Sequence, residues 1–348
     1  MLELHSPDGA FELIETYLRE RGFFAPGGEE LVADVFLGYG LSEPLRRTSI
    51  PAPPEPCPLP LAAVAVADMG GPGPDRSGRD DVSIGPWERT WGEREYAEAV
   101  QAVREAIGRG DVYQVNLVQH LSADFEGDPT ALAARLASFG PRTLAGDGWA
   151  VVSASPELFL ARRGRRVWTA PIKGTRPLGE HVEGEKDAAE HVMIVDLERN
   201  DLSRVCEPGS VRWPELMAER ELAGVTHLVS TVEGTLRESV GLAELLAATF
   251  PGGSVTGAPK LAALDLIAAL EPVGRGASMG ALGVVRGNGD LELALTIRTF
   301  ALVEERIHLW VGGGVVWDSQ PEAEIAESWT KAGPLLAAIG APVEAARR

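Results

Sequence analysis

Gly280-Ala-Leu-Gly-Val-Val285 and Leu291-Glu-Leu-Ala-Leu-Thr-Ile-Arg-Thr-Phe-Ala301, joined through Asn288-Gly289, decide the fold class of this chain. Both runs read as strands, and Asn-Gly between two such runs is the strongest short-range hairpin signal. Ile307 to Val316 reads as another strand directly afterwards. Strands in runs point to antiparallel pairing, whereas strict alternation with helices points to a parallel sheet. This chain has both patterns, so α+β with largely antiparallel sheets is expected rather than a doubly wound fold.

Helical patterns surround that stretch. Ala10 to Glu20 is amphipathic. Thr90-Trp-Gly-Glu93 has the form of a capping box, with Tyr96, Val100, Val103 and Ile107 at helical spacing and Gly108 and Gly110 closing the helix. Val112 to His120 then alternates as a strand. Helices are expected over Glu185 to Val205, from Pro259 to about Leu270, and over Pro321 to Ile339. Pro51 to Pro60 and Met69 to Asp81 are rich in breakers and read as linkers. The expected organisation is a short N-terminal region, 1–89, packed on a catalytic domain, 90–340.

Composition excludes several classes. The net charge of −19 repels nucleic acid and anionic membranes, and no uncharged stretch reaches the ~18 residues of a membrane span. Cys57 and Cys206 form no CxxC pair, which fits a reducing cytoplasm. Met-Leu-Glu-Leu-His at the start has no basic n-region, so no signal peptide is expected. An anionic substrate would need local cations or a metal to enter such a chain.

Chemistry-bearing residues recur along the sequence. Lys173, in Pro171-Ile-Lys-Gly-Thr-Arg-Pro177, sits on a tight turn as a nucleophile, an anion ligand or a solvated side chain. Glu157, in Ser155-Pro-Glu157, is spaced to sit on a neighbouring antiparallel strand, as an ion-pair partner or a proton donor. Pro251-Gly-Gly-Ser-Val-Thr-Gly-Ala-Pro-Lys260 is a glycine-rich helix entry that suits an anion or is simply a flexible loop. Glu324, Glu327 and Lys331 share one helix face, as Mg²⁺ ligands or a solvated ion-paired face, with Glu190 the candidate third ligand. His227 by itself reads as a satisfied core or surface histidine, and Arg298, on a strand, as a carboxylate clamp or the partner of a surface acid.

Together these motifs resemble the chorismate-utilising enzymes. The resemblance runs from Tyr96 to Leu336 and includes Gly110-Asp-Val-Tyr-Gln-Val-Asn-Leu117, Ser155 to Phe159, Pro171 to Pro177, Glu190 to Asp201, Thr226-His-Leu228, Gly253 to Lys260, Ile297-Arg-Thr299 and Gly312 to Val316. It implies a large sandwich of two mainly antiparallel sheets with helices outside. Family members that add water carry a lysine where this chain has Gln114, and anthranilate synthases carry alanine where it has Lys173. The lysine form is similar to aminodeoxychorismate synthase component I, a transferase on the route to para-aminobenzoate and folate.

By that resemblance Lys173 is the nucleophile, Glu157 the general acid/base, and His227 lies near the C4 substituent. Glu190, Glu324 and Glu327 hold Mg²⁺. Gln114, Gly174, Thr175, Thr256, Gly257, Arg298, Gly314 and Lys331 line the chorismate site. Ser278, Met279 and Val284 depart from an aromatic family pattern. The first ninety residues show no tryptophan-site motif, and no Gly-x-Cys-x-Gly elbow is present, so a separate glutamine amidotransferase subunit is expected to supply ammonia.

Overall fold

The computed structural model describes residues 1–68, 81–177, 185–222 and 225–341, with the side chains of 68, 175–177, 185–189, 222, 225 and 227 outside the description. The described strands form two sheets, of ten and eight strands, counting Arg212–Leu222, which pairs with Val225–Thr235, in the first and Ser83–Ile84 and Glu88–Arg89, which pair with Gln114–Glu126, in the second. All described pairings are antiparallel, as the hairpin signal required. The first sheet runs Leu2–Leu4, Ala62–Asp68, Leu31–Leu37, Ala281–Arg286, Leu291–Leu295, Leu158–Arg163, Arg166–Ala170, Val225–Thr235, Ile172–Pro177. The second runs Gly257–Ala258, Gln114–Glu126, Arg306–Val315, Thr299–Val303, Trp149–Ser153, Arg142–Gly146. The N-terminal strands are therefore continuous with the first sheet, through Leu31–Leu37 against Ala281–Arg286.

The sheets face each other across one apolar core, where the Phe36 and Trp149 rings, one from each sheet, lie 6.4 Å apart. Helices cover the outside. α1 (Ala10–Arg19), α4 (Glu185–Ser203) and α5 (Leu242–Thr249) join this core. α2 (Glu93–Arg109) and α6 (Lys260–Leu270) pack on the Gln114–Glu126 strand, and α3 (Pro129–Arg135) and α7 (Pro321–Ala338) cover the rest of the second sheet.

Local readings changed where long-range contacts intervened. Leu291 to Ala301 is two strands in different sheets, because Arg298 adopts φ 50° and a left-handed residue cannot continue a pleat. Lys173 lies in the Ile172–Pro177 strand rather than on a turn. Gly174 at φ 62° shifts the register there between Lys173 and Thr175. The helix expected to be capped by Thr90 starts at Glu93 after Gly92. The Thr90 hydroxyl instead lies 2.6 Å from His120 Nδ1. Pro259 is the cap of α6 rather than its first residue.

Candidate functional site

Two of the places where the chain changes sheets lie side by side. One is 154–157, between the strands Trp149–Ser153 and Leu158–Arg163. The other is 296–298. Ala154 N donates to Arg298 O and Leu295 N to Glu157 O, each at 3.0 Å. At crossings the ladder opens, so side chains there point into the seam between the sheets. That seam receives Glu157 and Arg298 together.

Glu157 is buried, and its Oε1 accepts from Ser254 Oγ at 2.8 Å and from Ile172 N at 3.3 Å. Burial pushes its carboxyl upward in pKa. Lys173, the two hydrogen bonds and Lys331 pull the other way. Arg298 shows the mirror image: burial lowers its pKa and the Glu157 charge opposes the fall. One carboxyl thus faces Lys173, Lys331 and Arg298, from a first-sheet strand, from α7 and from the neighbouring crossing. The half-buried Lys173 also faces His191 of α4. Burial, helped by the Lys173 charge, depresses His191 to about 4, so its ring is neutral at neutral pH. His191 Nε2 lies 2.6 Å from Ser230 Oγ.

On the other side, α7 presents Glu324, Glu327 and Lys331 above the Gly312–Gly314 run. A Cβ on Gly313 would stand 3.1 Å from Lys331 Nζ, 3.5 Å from Glu327 Oε1 and 3.6 Å from Glu324 Oε2. Only glycine leaves that cradle open. Lys331 Nζ pairs with Glu327 Oε1 at 2.7 Å and donates to Gly312 O at 3.2 Å. Glu324 is buried. Next to this, a Cβ on Gly314 would meet Gln114 Nε2 at 2.0 Å, and one on Gly257 would meet Gln114 O at 2.3 Å. Gln114 is fully buried, and neither atom of its side-chain amide has a hydrogen-bond partner among the described residues. A buried amide with both ends open is rare in a folded protein and leaves bonding capacity for a ligand.

The structure therefore gathers Glu157, Lys173, Arg298 and Lys331 around one seam, with Gln114, Gly314 and Gly257 beside the α7 cradle. Thr256 is buried, but its hydroxyl is turned to Gly252 O at 2.9 Å. Gly174 makes the bulge beside Lys173. Thr175 and His227 are register partners, and their side chains lie outside the described residues. Glu190 is half-buried on α4, and among the described residues no cluster of three His, Cys, Asp or Glu side chains could hold a metal ion. Carboxylate oxygens are nonetheless the donor chemistry Mg²⁺ prefers, and the α7 cradle supplies two such residues. Sequence reasoning missed Ser254 and passed over His191. Ser254 carried a signal, being the hydroxyl inside the glycine-rich loop. The loop serves Glu157 with that hydroxyl, while Lys260 at its end turns away to pair with Asp201 at 2.5 Å.

Residues 59–337 match the family model described as chorismate binding enzyme. The chain belongs to that family. It is 39% identical over 269 residues to anthranilate synthase component 1 of Streptomyces coelicolor, a match covering 73% of this chain and 53% of that protein. It is equally 39% identical over 266 residues to aminodeoxychorismate synthase component 1 of Salmonella typhimurium, covering 72% and 58%. The match thus spans little more than half the length of these relatives. The fold superposes on anthranilate synthase component I of Streptococcus pneumoniae TIGR4 with a TM-score of 0.78 at 26% identity, covering 92% of this chain and 84% of that one. This family member also has no helix among its described residues long and apolar enough to cross a membrane.

Proposed function

We propose that this member aminates chorismate at C4 through a covalent lysine intermediate, as an aminodeoxychorismate synthase component I. The observation that carries the reading is Lys173, facing the buried carboxyl of Glu157 at the sheet crossing. Lys173 Nζ bonds to C2 of chorismate, the ring double bond shifts, and the C4–O bond breaks. Glu157 gives its proton to the departing hydroxyl, which leaves as water, and then takes the proton from the new lysine–carbon nitrogen. Ammonia attacks C4, the lysine–C2 bond breaks, Glu157 returns the proton to lysine, and the new C4 ammonium gives one proton back to Glu157. Gln114 is a neutral amide and cannot serve as a base, which fits ammonia rather than water as the nucleophile.

Arg298 and Lys331 orient the substrate carboxylates. Glu324 and Glu327 would hold Mg²⁺, with Glu190 completing the set. When bound, that ion would neutralise the ring carboxylate. Ammonia would come from a glutamine amidotransferase subunit. A second reading, anthranilate formation by direct attack of ammonia at C2, is favoured by one observation: relatives bearing that name are equally similar.

The test is to supply chorismate and Mg²⁺ without ammonia and weigh the intact protein. The proposal expects an adduct that maps to Lys173 and vanishes in Lys173→Ala. Ammonium salts should then give a 4-amino product. No adduct, together with a 2-amino product at full rate from Lys173→Ala, would establish the second reading.

A further inference from the structure

The mechanism leaves one deeply buried acid unused. Glu198 lies on α4 and is only 7% exposed. Its Oε2 accepts from Thr169 Oγ1 at 3.1 Å. Asp201, one helical turn further, takes the Lys260 ammonium at 2.5 Å, and that ammonium also donates to Thr249 O. Glu198 has no ion pair of its own among the described residues. A carboxyl enclosed in this way, with one neutral donor, holds its proton. Burial is the largest cause, the charge of Glu157 the next, and both push the Glu198 carboxyl well upward in pKa. Asp201 adds to this, while Thr169 and Lys260 oppose it. Burial raises Glu157 as well, but there Lys173, its two hydrogen bonds and Lys331 oppose the rise, and Arg298 faces it too.

The two acids share a cradle made of two short segments. In the first, Thr169 Oγ1 donates to Glu198 and Ile172 N to Glu157. In the second, a Cβ on Gly253 would stand 3.6 Å from Glu198 Cγ, while the adjacent Ser254 Oγ donates to Glu157. From this arrangement we infer that Glu198 is a positioning residue that stores the proton Glu157 delivers to the departing hydroxyl. The inference rests on the reading of Glu157 as the acid/base.

The transfer balances without a co-reactant. The Glu198 O–H bond breaks, a Glu157 O–H bond forms, and the negative charge moves to Glu198. Glu157 then protonates the leaving hydroxyl. The proton released by the alkylated lysine returns through Glu157 to Glu198. Glu157, with Lys173, Lys331 and Arg298 around it, holds its own proton less firmly than Glu198 does.

Glu198→Gln keeps the shape and the acceptor for Thr169 but cannot carry a proton. The pair in the wild type is competent while it holds one proton. The variant depends on the proton of Glu157 itself. Its kcat should therefore fall by about tenfold or more at neutral pH. It should recover toward acid pH, with the alkaline limb moved to lower pH and KM for chorismate little changed. Glu198→Asp should restore the limb. Thr169→Val, which removes the donor favouring the Glu198 carboxylate, should move the limb to higher pH and tests the idea should Glu198→Gln misfold. Superimposable pH profiles for wild type, Glu198→Gln and Thr169→Val would overturn the inference. Glu157→Gln separates the two levels: full activity there would remove the underlying reading, whereas inactivity at every pH leaves the Glu198 profiles to decide.

Discussion

Two buried polar clusters sit on the same strand, Gln114–Glu126, and they are finished in opposite ways. At Asn116 and Val118 the strand meets Arg275 and Glu271. Arg275 donates to both Glu271 oxygens at 2.8 and 2.7 Å, to Val255 O at 3.0 Å and to Asn116 O at 2.6 Å. Glu271 also accepts from Val118 N, and the Tyr39 ring lies 4.5 Å from the guanidinium. Two residues earlier, the Gln114 side chain is as deeply buried and has no hydrogen-bond partner among the described residues. The first cluster ties α6 and its following loop to the second sheet and has little bonding capacity left. The second keeps its capacity unspent beside the α7 cradle. Burial alone does not separate these two polar side chains; the hydrogen bonds each makes do.

That contrast can be broken most directly at Arg275. Arg275→Ala leaves Glu271 as an uncompensated buried charge, so stability should fall by about 3–5 kcal/mol in denaturant unfolding. A loss like that of a surface substitution would mean that the closed cluster is not structural.

A third cluster on the same strand sharpens the comparison through pH. His120 Nε2 lies 3.0 Å from His308 Nδ1, the two rings stacked, with the Thr90 hydroxyl at His120 Nδ1, the Trp310 ring 4.8 Å away and Arg306 nearby. Burial above all depresses His120 to about 3 and His308 to about 4, from 6.5. The unfolded chain binds these protons more tightly than the folded one. Their neutral, packed state is therefore fully available above pH 6.5 and is progressively lost as pH falls toward about 4. The denaturation midpoint should drop over that window, and His308→Gln should flatten the slope. An unchanged slope in the variant would assign acid sensitivity elsewhere.

The smallest effect belongs to the open cluster. Gln114→Met removes an unpartnered buried amide at nearly constant volume, so stability should hold or rise by about 1 kcal/mol. Ammonia-dependent turnover should nevertheless fall. A destabilisation approaching that of Arg275→Ala would show that the Gln114 amide is satisfied in solution and serves the fold.

The sequence by itself determined the elements whose cause is local. Asn288-Gly289 dictates its hairpin because the turn needs a residue tolerant of positive φ, which Gly289 supplies at 89°, while Asn288 Oδ1 accepts from Asp290 N. The 3.6-residue spacing of Tyr96, Val100 and Val103 dictates a buried helix face, and all three are buried. The shared face of Glu324, Glu327 and Lys331 likewise follows from helix geometry. Tertiary structure alone decided what those residues meet. Arg298 reads as mid-strand, since no local pattern announces that a run of β-formers will leave one sheet for the other. Its left-handed backbone is imposed by the seam between the sheets. Glu157 and Arg298 meet because two crossings distant in sequence lie side by side. Ser254 finds Glu157, and Glu198 shares its cradle, through contacts spanning up to 97 residues. Spacing along a chain fixes which side chains share a face. Which faces then close around an unpartnered amide or a protonated acid depends on packing, and packing is a property of the whole fold.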